Sequence, residues 1–145
     1  MVRVIAYVRL GATTNMQIVP IYASLLAIIF VALSVRTLRL RRSLKISIGD
    51  AGDNRMLRAI RVHSNFAEYV PFALLMIYLV ETSGANPVFV HAICLCLLIG
   101  RLSHAFGVSR ADEQFQYRVA GMALTFTVLL VSAAYLLFVP TRGGT

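Results

Sequence analysis

A chain of 145 residues defaults to a single domain. It is 59% hydrophobic and only 14% charged, with a mean hydropathy of +0.77, and a water-soluble domain this small cannot hide so much apolar surface. Fourteen basic against six acidic side chains leave a formal charge of +8; basic residues clustered at membrane-helix ends explain this better than a nucleic-acid surface, and no nucleic-acid partner is expected.

The N-terminal stretch MVRVIAYVRLGATTN has a short apolar part broken by Arg9, which predicts a retained extension rather than a cleaved signal. A first hydrophobic segment runs from about Met16 to Leu40, apolar through Leu33 and basic after it. The turn GDAGD follows, offering Asp50 and Asp53 as helix N-caps. It opens a second segment from about Asn54 to Thr82, and the loop ETSGANP leads to a third from about Pro87 to Phe106. The fourth runs from about Arg118 to Val139. Each has roughly the 20 residues that carry a helix across about 30 Å of hydrocarbon, and none shows the alternation of a membrane β-strand. The expected fold is an all-α integral membrane protein, a bundle of four transmembrane helices, with residues 1–145 as one domain. Cys94 and Cys96 stand two apart inside the third segment. That spacing is poor for a disulfide and too sparse for a metal, so they are read as packing and no metal is expected.

The charges predict an orientation. Arg36, Arg39, Arg41, Arg42, Lys45, Arg55, Arg58, Arg61, Arg101, Arg110 and Arg118 flank the first and third loops, leaving Arg3, Arg9 and Arg142 for the other side. The positive-inside rule then places the first and third loops in the cytoplasm and both termini opposite.

The second segment carries the polar residues that need explaining. At about 100° per residue, Arg58, Arg61, Asn65 and Glu68 fall within an arc of about 80°, and Asn54 joins that face. His63 points nearly the other way. Glu68 lies some four turns into the helix with no basic i±4 neighbour. It needs a partner from another helix or a polar cavity, since charge inside a bilayer is costly. The third segment ends in GRLSHAFGVSR, with Arg101 and His104 on one face and Gly100 and Gly107 allowing close approach; the fourth opens with Arg118, and the first closes with Arg36 and Arg39. Polar side chains of all four helices should therefore converge at one membrane face. Arginines suit carboxylates or phosphates, the glutamate an ammonium, the asparagine either. A zwitterionic peptide of net negative charge fits this set, and access from lipid favours a hydrophobic second substrate.

The pattern RAIRVHSNFAEYVP, with the G-D-x-G turn before it, GRLSHAFG on the third helix and an arginine opening the fourth, resembles the MAPEG family, the membrane-associated proteins of eicosanoid and glutathione metabolism. The resemblance extends over most of the chain. It implies a homotrimer in contact with membrane lipids, with glutathione as co-substrate held at subunit interfaces on the cytoplasmic side. Carried over position by position, it assigns Arg61, Asn65, Glu68 and Tyr69 to tripeptide binding, and Arg58, His63, Arg36 and His104 to further positions around that site. Arg118 and Arg101 become the candidate catalytic residues that stabilise a thiolate. A free thiol has a pKa of about 8.5, and a neighbouring guanidinium favours its anion. The implied activity is transfer of glutathione to hydrophobic electrophiles or reduction of lipid hydroperoxides. One departure stands out. Catalytic members carry tyrosines late in the third helix, where this chain has His104 and Val108. A non-catalytic lipid-binding or scaffolding member is the alternative, and a proton-coupled transporter using Glu68 is a third.

Overall fold

The computed structural model describes residues 17–109 and 115–138. The N-terminal extension, Met16, Arg110, Val139 and Arg142 lie outside the described residues. Four helices follow one another: α1 Val19–Leu44, α2 Asn54–Thr82, α3 Pro87–Ser109 and α4 Phe115–Phe138. No strand occurs among the described residues.

Local chemistry sets the helix ends. Pro20 occupies the first turn of α1, where its missing N–H costs no helical bond. The Glu81 carboxylate, from the far end of α2, accepts from the backbone N–H groups of Ile18 and Val19, a negative group on a helix N-terminus. At its other end α1 runs through the basic stretch past Leu40, because leucine and arginine are good helix formers and cations suit a C-terminus. It stops at Lys45, in the left-handed conformation at φ 54°. Gly49 and Gly52 take φ of 72° and 75° in the turn that follows, a region open to glycine at little cost. Asp53 then caps α2 as expected, its side chain accepting from Arg55 N at 2.8 Å and Met56 N at 3.2 Å. Asn86 caps α3 in the same manner, accepting from Val88 N at 2.8 Å.

Helix α2 packs against each of the other three helices, as α3 also does, whereas α1 and α4 do not meet. The buried stripe of α2 runs Met56, Ala59, Val62, Phe66, Val70, Ala73, Ile77 and Val80, in steps of three or four that keep one face inward. The core gathers Phe66, Val70, Ile77 and Val80 with Leu26 of α1, Val90, Ile93 and Leu97 of α3 and Val128 of α4.

Four membrane-crossing helices were expected; three, Val19–Ser43, Pro87–Ser109 and Phe115–Phe138, are long and apolar enough to cross a membrane. The exception is α2. It is long at 29 residues, but its first half carries Arg55, Arg58, Arg61, His63, Asn65 and Glu68. A helix with neighbours on several sides can hold such groups where a lipid-facing helix cannot.

The approach of α3 to α4 is set by two glycines. A Cβ on Gly121 would lie 2.5 Å from the Gly100 carbonyl oxygen, 2.6 Å from His104 N and 2.7 Å from His104 Cβ. No side chain fits there, so backbone meets backbone, as small residues permit in membrane helix pairs. Thr125 settles its hydroxyl on the Gly121 carbonyl at 2.8 Å. This contact fixes where the first turns of α4 lie against His104.

Candidate functional site

The polar face of α2 opens into a cleft of about 500 Å³ between α2, α3 and α4. Asn54, Leu57, Arg58, Arg61, Ser64, Asn65 and Glu68 form its α2 wall, His104 and Val108 its α3 wall, and Arg118 and Met122 its α4 wall. Helical rotation explains the first wall: steps of three and four bring these residues to one side. The Gly121 contact explains the third, since Arg118 and Met122 flank the glycine that rests on His104.

Six of the ten residues singled out in the sequence line this cleft: Arg58, Arg61, Asn65, Glu68, His104 and Arg118. Arg61 and Glu68 are exposed to it, and among the described residues Glu68 forms no ion pair and no hydrogen bond. The interhelical partner that a carboxylate in a membrane helix demands is not supplied by the described residues of the same chain, and Glu68 faces the open recess. Arg58 reaches toward the Val108 carbonyl at 3.5 Å. The Arg118 guanidinium lies 5.5 Å from the centre of the Phe115 ring. His104 is 5% exposed, and its Nδ1 has no hydrogen-bond partner among the described residues.

The other four residues are placed elsewhere. Arg101, expected beside the reacting sulfur, is fully enclosed. Its Nη2 donates to Asn65 Oδ1 at 2.7 Å, its Nη1 faces Met122 Sδ at 3.9 Å, and its guanidinium lies 5.5 Å from the centre of the Phe66 ring. It stands behind Asn65, off the cleft wall, because α2 covers this turn of α3 and leaves only the next turn, at His104, open. A guanidinium donates and cannot accept, so Asn65 must turn its carbonyl toward Arg101, which leaves its NH₂ as the remaining donor. Arg101 therefore holds the Asn65 amide in one orientation.

His63 lies on the opposite flank of α2, its Nε2 3.0 Å from Ser34 Oγ and its ring stacked on Phe30 at 4.9 Å. Tyr69 packs edge-on against Phe126 at 5.6 Å, since one residue beyond Glu68 rotates the side chain toward α4. Arg36 donates to Ser109 Oγ at 2.5 Å and borders a different groove. None of these three is among the described residues that line the cleft of α2, α3 and α4.

Three wall residues escaped sequence reasoning: Leu57, Ser64 and Met122. The signal was available, since Leu57 and Ser64 lie four before and three after Arg61, and Met122 four after Arg118. They are uncharged, so nothing marked them as costly in lipid. Asp53, at the mouth of the α2 turn, pairs with Arg55 at 2.8 Å. The Arg55 guanidinium hydrogen-bonded to it, helped by the backbone N–H groups that it caps, holds its carboxyl down at about 2. It is thus spoken for and is no cleft acid.

The sequence pattern of the MAPEG family matches residues 19–138, which spans all four helices. The chain is also 35% identical over 111 residues to the inner membrane protein YecN of Escherichia coli strain K12, covering 77% of this chain and 83% of that one. YecN of Escherichia coli O6:H1 matches to the same extent. The matched region contains the central polar helix, the glycine-seated α3–α4 pair and every wall of the cleft, and the chain is a membrane protein belonging to the MAPEG family.

Proposed function

We propose that the cleft holds glutathione and that the protein, as a homotrimer, transfers it to hydrophobic electrophiles or uses it to reduce lipid hydroperoxides. One observation carries this reading: a recess of about 500 Å³ brings three arginines, Arg58, Arg61 and Arg118, and the Asn65 amide to the same lining as the Glu68 carboxylate. The donor set suits the tripeptide group by group. Arg58 and Arg61 match its carboxylates, Glu68 its ammonium, and the Asn65 NH₂ a peptide carbonyl. When bound, glutathione supplies a thiol nucleophile. Arg118, on the α4 wall, then favours the sulfur anion by its fixed charge. Arg101 keeps the Asn65 amide turned for binding, and Met122 and Leu57 exclude water on the apolar side.

A second reading is favoured by a specific feature. The α3 wall offers His104 and Val108 and no phenol. Tyr69 packs on Phe126, and Tyr117 on Phe106 at 5.4 Å. On this reading the protein binds the tripeptide or a lipid without activating a thiol. Titration of the purified chain with glutathione, followed by ultraviolet thiolate absorbance, separates the two. Binding with thiolate formation supports catalysis, and binding without it supports the second reading. An absence of binding overturns the first reading and leaves the second as a lipid binder only.

A further inference from the structure

The first loop carries charges that the cleft does not use. Helix α1 is long and apolar enough to cross a membrane over Val19–Ser43, so the residues just past it lie at headgroup depth. A recess of about 360 Å³ opens there, lined by Leu38, Arg41, Arg42, Lys45, Ile46 and Ser47. It shares no residue with the cleft. Arg42 and Lys45 are exposed, and their side chains make no hydrogen bond or ion pair among the described residues. No carboxylate lines the recess among the described residues. Asp50 accepts from Gly52 N at 3.2 Å, and Asp53 pairs with Arg55 at 2.8 Å.

A helix C-terminus is negative and by itself repels an anion. Here that end is satisfied from within the chain. The Lys45 N–H donates to the Arg42 carbonyl at 3.3 Å, and the Ile46 N–H to the Arg41 carbonyl at 3.1 Å. The Arg41 guanidinium reaches over the loop, its Nη1 donating to the carbonyls of Ser47 at 3.1 Å and Gly49 at 3.2 Å. One arginine thus folds the loop back on the helix end and leaves the other two cations to the outside. Between its two carbonyl bonds stands Ile48, 88% exposed, with Leu38 at 53% on the helix below. Cations interleaved with bare aliphatic side chains select among anions. A nucleic acid or a soluble acidic protein satisfies Arg42 and Lys45 and leaves Ile48 in water. A lipid surface with negative headgroups takes up both.

We propose that the first loop is an anchor for an anionic membrane surface, with Arg42 and Lys45 on the headgroup phosphate of an anionic phospholipid and Ile48 dipping into the boundary between headgroups and acyl chains. The anchor does not depend on the glutathione reading. The chain has no tryptophan, so Ile48→Trp in the full chain supplies one fluorescent reporter at the loop tip. The protein is reconstituted into phosphatidylcholine bilayers with rising phosphatidylglycerol. Emission should move to the blue as phosphatidylglycerol is added, and bromine on the acyl chains should quench it. Arg42→Gln in that background should raise the phosphatidylglycerol fraction needed for half of the shift by about fivefold, and Arg42→Gln with Lys45→Gln should abolish the dependence. Arg39→Gln with Arg55→Gln removes the same number of positive charges from outside the recess and should leave it in place. Salt at 1 M, where the Debye length is about 3 Å, should reverse the shift. The same emission in both lipids overturns the proposal, as does an equal effect of the two double variants. A shift produced by free inorganic phosphate in pure phosphatidylcholine overturns it too, since the recess would then take an anion without the membrane.

Discussion

Arg101 and Arg118 are both arginines beside the same cleft, yet they have different work. Arg118 lines the recess, while Arg101 sits enclosed behind Asn65, with 2.7 Å between its Nη2 and the amide oxygen. Replacing each by methionine should separate the roles. Arg101→Met frees the Asn65 amide to turn, and losing a hydrogen bond to a charged group is worth about 1.5–3 kcal/mol. Glutathione affinity should fall by at least about tenfold, while thiolate absorbance at saturation stays. Arg118→Met should retain most of the affinity and lose the thiolate signal. Both parameters falling together in each variant would refute the division. The arc of Arg58, Arg61, Asn65 and Glu68 was legible because rotation about a helix is arithmetic, and the same arithmetic excluded His63. The burial of Arg101 was not legible. Its i, i+3 relation to His104 says which face it shares, and not that Phe66 and Asn65 of another helix cover one turn of that face and leave the next open.

Among the elements, the second helix keeps its expected bounds because its ends are marked by strong local chemistry, the Asp53 cap and the Gly84 turn at φ 87°. The limits of the others shift where propensity is continuous: α1 runs on to Leu44, α3 to Ser109, and α4 opens at Phe115. The Asp53 cap is pH-dependent. Its folded carboxyl titrates at about 2, below its ordinary 3.8. The stabilisation is therefore complete above pH 4 and is lost as pH falls toward 2. Amide exchange at Arg55 and Met56, followed from pH 5 downward, should accelerate through that window relative to amides in mid-helix, and Asp53→Ala should remove the transition. At the other side of the cleft, Gly121→Ala places a Cβ 2.5 Å from a carbonyl oxygen. Backbone cannot yield as a side-chain end can, so α4 must move away from α3, at a cost of about 1–3 kcal/mol. Thermal unfolding in detergent should shift down. Glutathione binding should weaken as well, because Arg118 and Met122 travel with α4. Unchanged affinity would mean that the α4 wall contributes nothing to the site. The sequence drew attention to Gly100 and Gly107, and Gly121 went unnoticed because a glycine becomes decisive only through the helix that faces it.

For the whole molecule, exposure has to be judged against lipid instead of water. Ile28 is 67% exposed, Leu130 71% and Leu137 77%, and none of these requires a partner, since acyl chains are as apolar as leucine. The exposed charges Arg61 and Glu68 do require one, because a charge turned toward hydrocarbon costs about 2.5–3.5 kcal/mol at the bilayer centre. A neighbouring copy laid over the open side of the cleft relieves that cost, which is the physical ground for the proposed trimer. Chemical cross-linking in mild detergent should then give a ladder of the 16.0 kDa chain that ends at three copies. A ladder ending at two would refute the trimer. Assembly from copies also allows a test of where the site resides. Glu68 and Arg118 line the cleft of one and the same chain. Copies bearing Glu68→Gln mixed with copies bearing Arg118→Met should therefore leave every cleft with one defect, and thiolate formation should not return. Restoration in the mixture would mean that Glu68 and Arg118 of different chains meet in one site, and that the cleft seen within a single chain is only half of it.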